Sequence, residues 1–244
     1  MLSKLKIKYI QTLGQKKLRD EDRLFIAEGP KLVGELLQEP GVRIREIFAL
    51  PDWLHQQASL LQNIPAHEIT AEELEKISQL STPNKVLAIV HQFPEQPPVS
   101  AKGNFVLALD TIQDPGNMGT LIRIADWFGV KHIVASMDTV DLYNPKVVQS
   151  TMGSLARVQV QYVQLASWLQ AQPDVRIYAA VLDGKNIHTM DKITEGVLLI
   201  GNESKGISEE ILSLANVRVS IPRKGRAESL NAAVAAGIML SHFI

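Results

Sequence analysis

The second half of the chain constrains the fold most, because its apolar runs are nearly continuous where a half-exposed strand would alternate. FVLALD (105–110) and GVLLIG (196–201) are the near-continuous cases, with KHIVAS (131–136) and RIYAAVL (176–182) reading as strands beside them. Strands of that kind are covered on both sides, as in a parallel sheet flanked by helices. Helical stretches fall between them: one from about Gly119, PKVVQSTMG (145–153), SWLQAQ (167–172), SEEILSLA (208–215) and a closing helix entered near Ser229. RVQVQYV (157–163) and VRVSIP (217–222) add two further strands. The expected fold class is α/β with a mostly parallel sheet, whose sites lie at the strand C-termini.

The first half is smaller and differently paced. After a helical start, RLFIAE (23–28), IREIFAL (44–50) and KVLAIVHQ (85–92) read as strands, with a helix over 30–38. PDWLHQQASLLQ and TAEELEKISQL read as helices, the second with Thr70 and Glu73 spaced as a capping box. Pro94, Pro97 and Pro98 then interrupt both patterns. The expected organisation is a first domain over 1–93, a linker over 94–104 and a second domain over 105–244.

With 45% hydrophobic and 21% charged residues, 244 residues supply ample core. No run approaches the roughly 18 apolar residues of a membrane helix, and lysines interrupt the N-terminus where a secretory core would stand. No membrane partner and a cytoplasmic location are expected. Without cysteine there is no disulfide, thiolate metal site or cysteine nucleophile. Residues 1–19 hold six basic groups and no acidic one, leaving 19 basic against 26 acidic groups elsewhere. A basic arm on an acidic body suits phosphate contact, and a solvated helix explains the charge equally well.

Three polar, glycine-bearing loops follow strands of the second domain. The first holds Asp114, Pro115, Gly116, Asn117 and Gly119, with Arg123 beyond it. The second is GNESKG (201–206), and the third runs from Ile221–Pro222 through RKGRAE to Ser229, Leu230 and Asn231. Singly, each reads as ordinary punctuation: a turn, a solvated acid, an N-cap before an alanine-rich packing helix. Jointly they open on one edge of a parallel sheet, which is the argument for a site. The six histidines show no paired metal-ligand spacing, so no metal is expected. Gly116 and Gly119, with Asp138 about 20 residues on, faintly echo a dinucleotide fingerprint.

In this order and spacing the three loops resemble the SpoU (TrmH) family of RNA ribose 2′-O-methyltransferases, in the SPOUT superfamily. Asp114–Gly119 with Arg123, Gly201–Gly206, and Ile221–Pro222 with Ser229–Leu230–Asn231 carry the likeness across the second domain. Through Phe25, Glu28, Gly29 and the basic residues before them, the first domain resembles the family's smaller α/β, L30e-like substrate-binding module. The resemblance implies a C-terminal deep trefoil knot and a homodimer. It implies S-adenosyl-L-methionine held by Gly201, Ile221 and Leu230, with Asn202 and Asn231 nearby. Arg123, Asn117, Glu203 and Ser229 form the implied catalytic set, with Glu203 ordering the second and third motifs. RNA is the implied partner, ribosomal RNA ahead of tRNA, contacted by Lys16, Lys17 and Arg19 and by Arg223, Lys224 and Arg226. Arg223 and Lys224 stand where many members carry a methionine and a varied residue. A nucleotide-dependent oxidoreductase and a non-catalytic RNA-binding module stay open as other classes.

Overall fold

The computed structural model describes residues 1–244. The elements in chain order are α1 (Lys4–Thr12), α2 (Lys16–Asp22), β1 (Leu24–Glu28), α3 (Pro30–Gln38), β2 (Ile44–Ala49), α4 (Pro51–Gln57), β3 (Ala66–Glu68), α5 (Ala71–Ile77) and β4 (Val86–His91). There follow β5 (Phe105–Leu109), α6 (Pro115–Trp127), β6 (His132–Ser136), α7 (Pro145–Thr151), β7 (Gln159–Val163), α8 (Leu165–Gln170), β8 (Ile177–Asn186), β9 (Gly196–Ile200), α9 (Glu209–Ser213), β10 (Val217–Ser220) and α10 (Ala232–Phe243). They form two compact units, 1–95 with 141–156, and 96–140 with 157–244.

The first unit is a four-stranded sheet in the order β1-β4-β2-β3, antiparallel except for the β2–β3 pair. The short, exposed β3 has no apolar periodicity and is not legible in the sequence. Leu24 and Ile26 of β1 join Ile10 and Leu13 near α1, and Leu74 and Ile77 of α5, in one core. Strand alternation turns Phe25 to the opposite face, where its ring lies 4.9 Å from that of Tyr143. Tyr143 belongs to the segment 141–156, which supplies α7 to this unit, so β1 is buried along its whole length. The capping box on α5 is formed as expected: Thr70 Oγ1 accepts from the Glu73 N–H, and Glu73 Oε2 from the Thr70 N–H.

In the second unit all six strands are parallel, in the order β10-β8-β9-β5-β6-β7. Connections run outward in both directions from the β5–β9 pair, which makes the C-terminal ends of those two strands the topological switch point. β8 pairs with β10 through Tyr178 and Ala179 and again through Lys185 and Asn186, against four consecutive residues of β10. Residues 180–184 are left over between those pairs and bow away from the ladder. Gly184 permits this, since a Cβ there would lie 2.5 Å from the Val219 nitrogen. The stretch after the prolines is pinned by side chains: Trp168 Nε1 donates to the Val99 carbonyl, and Gln172 Oε1 accepts from the Ala101 N–H.

Candidate active site

The loops after β5, β9 and β10 meet beside the switch point. Asp114 is the N-cap of α6, its Oδ1 accepting from the Asn117 N–H at 2.8 Å, and Pro115 takes the first helical position. Asp-Pro-Gly-Asn is therefore the opening turn of the helix, and the expected start near Gly119 is corrected to Pro115.

Asn117 uses both ends of its amide. Its Nδ2 donates to Glu203 Oε1 at 2.6 Å, and its Oδ1 accepts from Asn231 Nδ2 at 2.8 Å. One side chain thus ties all three loops together, and its two partners fix which way the amide points. Glu203, expected to order the second and third motifs, is linked to the third loop through Asn117. Asn231 Oδ1 also accepts from the Ala233 and Val234 N–H groups, so Asn231 caps α10. The expected helix entry near Ser229 is corrected: Ser229 precedes the cap and is exposed.

Two adjacent residues at the end of β5 hold both ends of the second loop. The Thr111 carbonyl accepts from Asn202 Nδ2 at 2.8 Å, and Asp110 Oδ2 accepts from the Ser208 N–H and Oγ at 2.7 and 2.8 Å. Asn202 Oδ1 organises the turn between them by accepting from Ser204 and Lys205 N–H groups. Asn202 and Gly206 close it with reciprocal backbone bonds. Thr111 sits at φ 59°, a region costly for a β-branched residue by about 1–3 kcal/mol. Its N–H donates to Ser136 Oγ and its Oγ1 to Asp138 Oδ2, which retain it there. Sequence pattern flagged neither residue; only the polar Asp110 ending an apolar run carried a signal.

Asp138 accepts from Ser136 Oγ as well, and the hydrogen bonds from Ser136 and Thr111 hold its carboxyl below the ordinary range despite some burial. Both of its oxygens are occupied, and Gly116 and Gly119 lie inside α6 instead of cradling a phosphate. The dinucleotide reading therefore has neither a free acid nor a phosphate loop.

A cavity of about 860 Å³ lies between the second loop, the third loop and the bowed residues 180–183. Gly201, Asn202, Glu203, Ile221, Arg223, Lys224, Ser229 and Leu230 line it. Gly201 is obligatory, because a Cβ there would stand 2.3 Å from the carbonyl carbon of Gly206. Leu182 and Leu230 present exposed apolar side chains to it, beside a wall of loop backbone. The size falls in the usual small-molecule range. Backbone polar groups with apolar plates fit a nucleoside carrying an amino-acid tail, so the residues present suit S-adenosylmethionine.

Arg123 and Arg226 are exposed and stand outside the cavity wall. Arg123 shares the outward face of α6 with Gly116, Thr120 and Trp127, at helical spacing. In the first unit, Lys16 and Lys17 point to solvent beside Asp20 and Glu21. Arg19 does not: it is 2% exposed, bonds the Leu13 and Gly14 carbonyls, and pairs with Asp141 at 2.7 Å. The expectation that Arg19 contacts RNA is corrected, since its guanidinium is buried and already partnered within the fold.

Residues 104–241 match the SpoU rRNA methylase family, and residues 4–88 match the MRM3-like substrate binding domain. The chain belongs to the SpoU rRNA methylase family. Among its relatives in that family, the 23S rRNA (guanosine(2553)-2′-O)-methyltransferase RlmP of Bacillus subtilis is 32% identical over 97% of this chain and 95% of its own. A TrmH-family protein from Porphyromonas gingivalis superposes with a TM-score of 0.88 at 35% identity, covering 100% of this chain and 98% of that one. An AdoMet-bound rRNA methyltransferase from Sinorhizobium meliloti gives a TM-score of 0.85 at 34% identity, over 99% and 95% of the two chains.

Proposed function

We propose that this protein transfers the methyl group of S-adenosylmethionine to a ribose 2′-hydroxyl of ribosomal RNA. The observation that carries this reading is the single amide of Asn117 joining all three SpoU motifs at the edge of a cofactor-sized cavity. When bound, S-adenosylmethionine supplies a sulfonium-activated methyl, so the protein's main tasks are alignment and charge management. In the transfer the methyl–sulfur bond breaks as the oxygen–methyl bond forms, and the hydroxyl proton leaves to phosphate or water. Arginine stays protonated, which rules it out as a simple base. Arg123 instead grips the neighbouring phosphate and stabilises the charge developing on the ribose oxygen. Arg223, Lys224 and Arg226, exposed in the third loop, hold further phosphates, and the solvent-facing Lys16 and Lys17 of the first unit add positive charge.

The same reading includes a C-terminal trefoil knot, a homodimer and a cytoplasmic site of action. Supporting the dimer, Trp127 of α6 is 83% exposed, and α10, which packs on α6, exposes Val234 and Ile238. No helix is long and apolar enough to cross a membrane. The test is transfer of a labelled methyl group to unmodified 23S rRNA and to tRNA transcripts, followed by nuclease mapping of the product. Label in a 2′-O-methylated nucleotide of the rRNA supports the reading. Label confined to tRNA overturns the choice of RNA, and no transfer to either overturns the activity.

A further inference from the structure

Besides the solvent-facing Lys16 and Lys17, the first unit carries a second group of cations on α1 and around the start of β2. β2 opens with a β-bulge: Ile44 faces Val90 and Glu46 faces Ile89, so Arg45 is the extra residue. A bulge re-aims the side chain it carries. Here it directs the Arg45 guanidinium to 5.7 Å from the centre of the Tyr9 ring on α1, with Nη1 donating to Tyr9 Oη at 3.1 Å. Tyr9 Oη in turn donates to Asp22. The Lys6 ammonium lies 5.8 Å from the same ring and 2.6 Å from the buried Glu46 carboxylate. Arg43, two residues before Arg45, is exposed and has no carboxylate partner.

His91, at the end of β4, lies beside them, its N–H donating to the Arg43 carbonyl at 2.9 Å. Burial first, and then the charges of Arg43 and Arg45, hold its imidazole below the ordinary histidine range. Both guanidiniums therefore act on one point at this end of the sheet. Three permanent cations share the surface with two carboxylates, of which Glu46 is buried beneath it and Asp22 is bonded to Tyr9.

We propose that this face of the first unit, formed by Lys6, Tyr9, Arg43, Arg45 and His91, docks RNA by its backbone. Guanidinium forks suit phosphate oxygens, and an aromatic ring flanked by cations offers a platform for an unpaired base. The inference rests on the RNA-methyltransferase reading and adds to it a surface of the first unit that grips the substrate.

The experiment uses the full-length chain and an unmodified 23S rRNA transcript, with filter binding from about 50 to 300 mM KCl. Arg43→Gln and Arg43→Gln/Arg45→Gln are compared with wild type and with Lys76→Gln, an exposed lysine on α5. The double variant should bind about 10-fold more weakly near 150 mM salt, and its log–log salt slope should be shallower by about 1.5–2. Its affinity for S-adenosylmethionine should not change, and Lys76→Gln should match wild type. Arg43→Gln alone, which breaks no bond in the fold, should show about half the change in slope. Wild-type affinity and slope in both arginine variants would overturn the proposal and leave the face to an acidic protein partner. If wild type itself neither binds nor methylates RNA, the functional reading fails instead, so the two failures are distinct.

Discussion

Asn117 donates its amide to Glu203 at 2.6 Å across 86 residues of sequence. The geometry makes Asn117 the joint on which the three loops depend, because the other end of the same amide accepts from Asn231. Asn117→Asp replaces the donor with a second carboxylate facing Glu203. Hydrogen bonds to charged groups contribute about 1.5–3 kcal/mol. Methyl transfer should therefore fall by roughly 10- to 150-fold, measured as initial rates at saturating RNA, with thermal stability reduced as well.

Arg123 makes no such bond, and its replacement should behave differently. Arg123→Ala is expected to abolish turnover while leaving S-adenosylmethionine affinity and melting temperature close to wild type. Calorimetric titration beside a rate assay checks this. A collapse of cofactor binding would move Arg123 from the RNA side of the reaction to the cofactor side.

Asp110 anchors Ser208 and thereby the far end of the second loop. Asp110→Ala should weaken S-adenosylmethionine binding by about 10-fold or more through loop displacement. The rate at saturating cofactor should be largely kept. A loss in kcat without a change in affinity would contradict a positioning role.

Asp138 gives a pH signature. Its carboxyl is held below the ordinary value by Ser136 and Thr111. The unfolded chain binds this proton more readily, so the group's stabilisation is present above the unfolded pKa and is lost as pH falls through the lower folded value. Asp138→Asn should flatten the acid side of the melting-temperature profile below the usual aspartate range, and leave its shape at neutral pH unaltered.

Arg19 should report on stability alone. Removing one partner of a buried ion pair typically costs about 3–5 kcal/mol, so Arg19→Met should lower the denaturation midpoint sharply. Asp141→Asn should do likewise, because it leaves the 2% exposed guanidinium without its counter-charge.

The three site loops were legible because each joins a strand of one periodicity to polar and glycine residues that a packed core excludes. Asp114, Asn117, Glu203 and Asn231 announce themselves by type and order, and their mutual bonds follow from the parallel sheet. What the sequence hid is three-dimensional in origin. The positive φ of Thr111 is written in no propensity, since threonine is a poor choice for it. The bulge at Arg45 shifts register within a run that reads as an unbroken strand. Arg19 sits among lysines in a basic stretch, and charge patterning says nothing about which of them turns inward. The first turn of α6 reads as a loop in the sequence because proline and glycine signal both.

The segment 141–156 has a consequence for how this protein can be divided. In sequence it lies between two strands of the parallel sheet and inside the span matched by the SpoU family. In structure its Tyr143 packs on Phe25, its Asp141 neutralises Arg19, and Val147 and Val148 are buried within the first unit. A cut at the proline stretch therefore yields two incomplete pieces, one with a bared strand and an orphaned guanidinium, the other with a greasy helix in search of its seat. Sequence from the second half completes the fold of the first. Neither could have been gained, lost or exchanged by simple fusion at the linker without the loop between β6 and β7 changing in step.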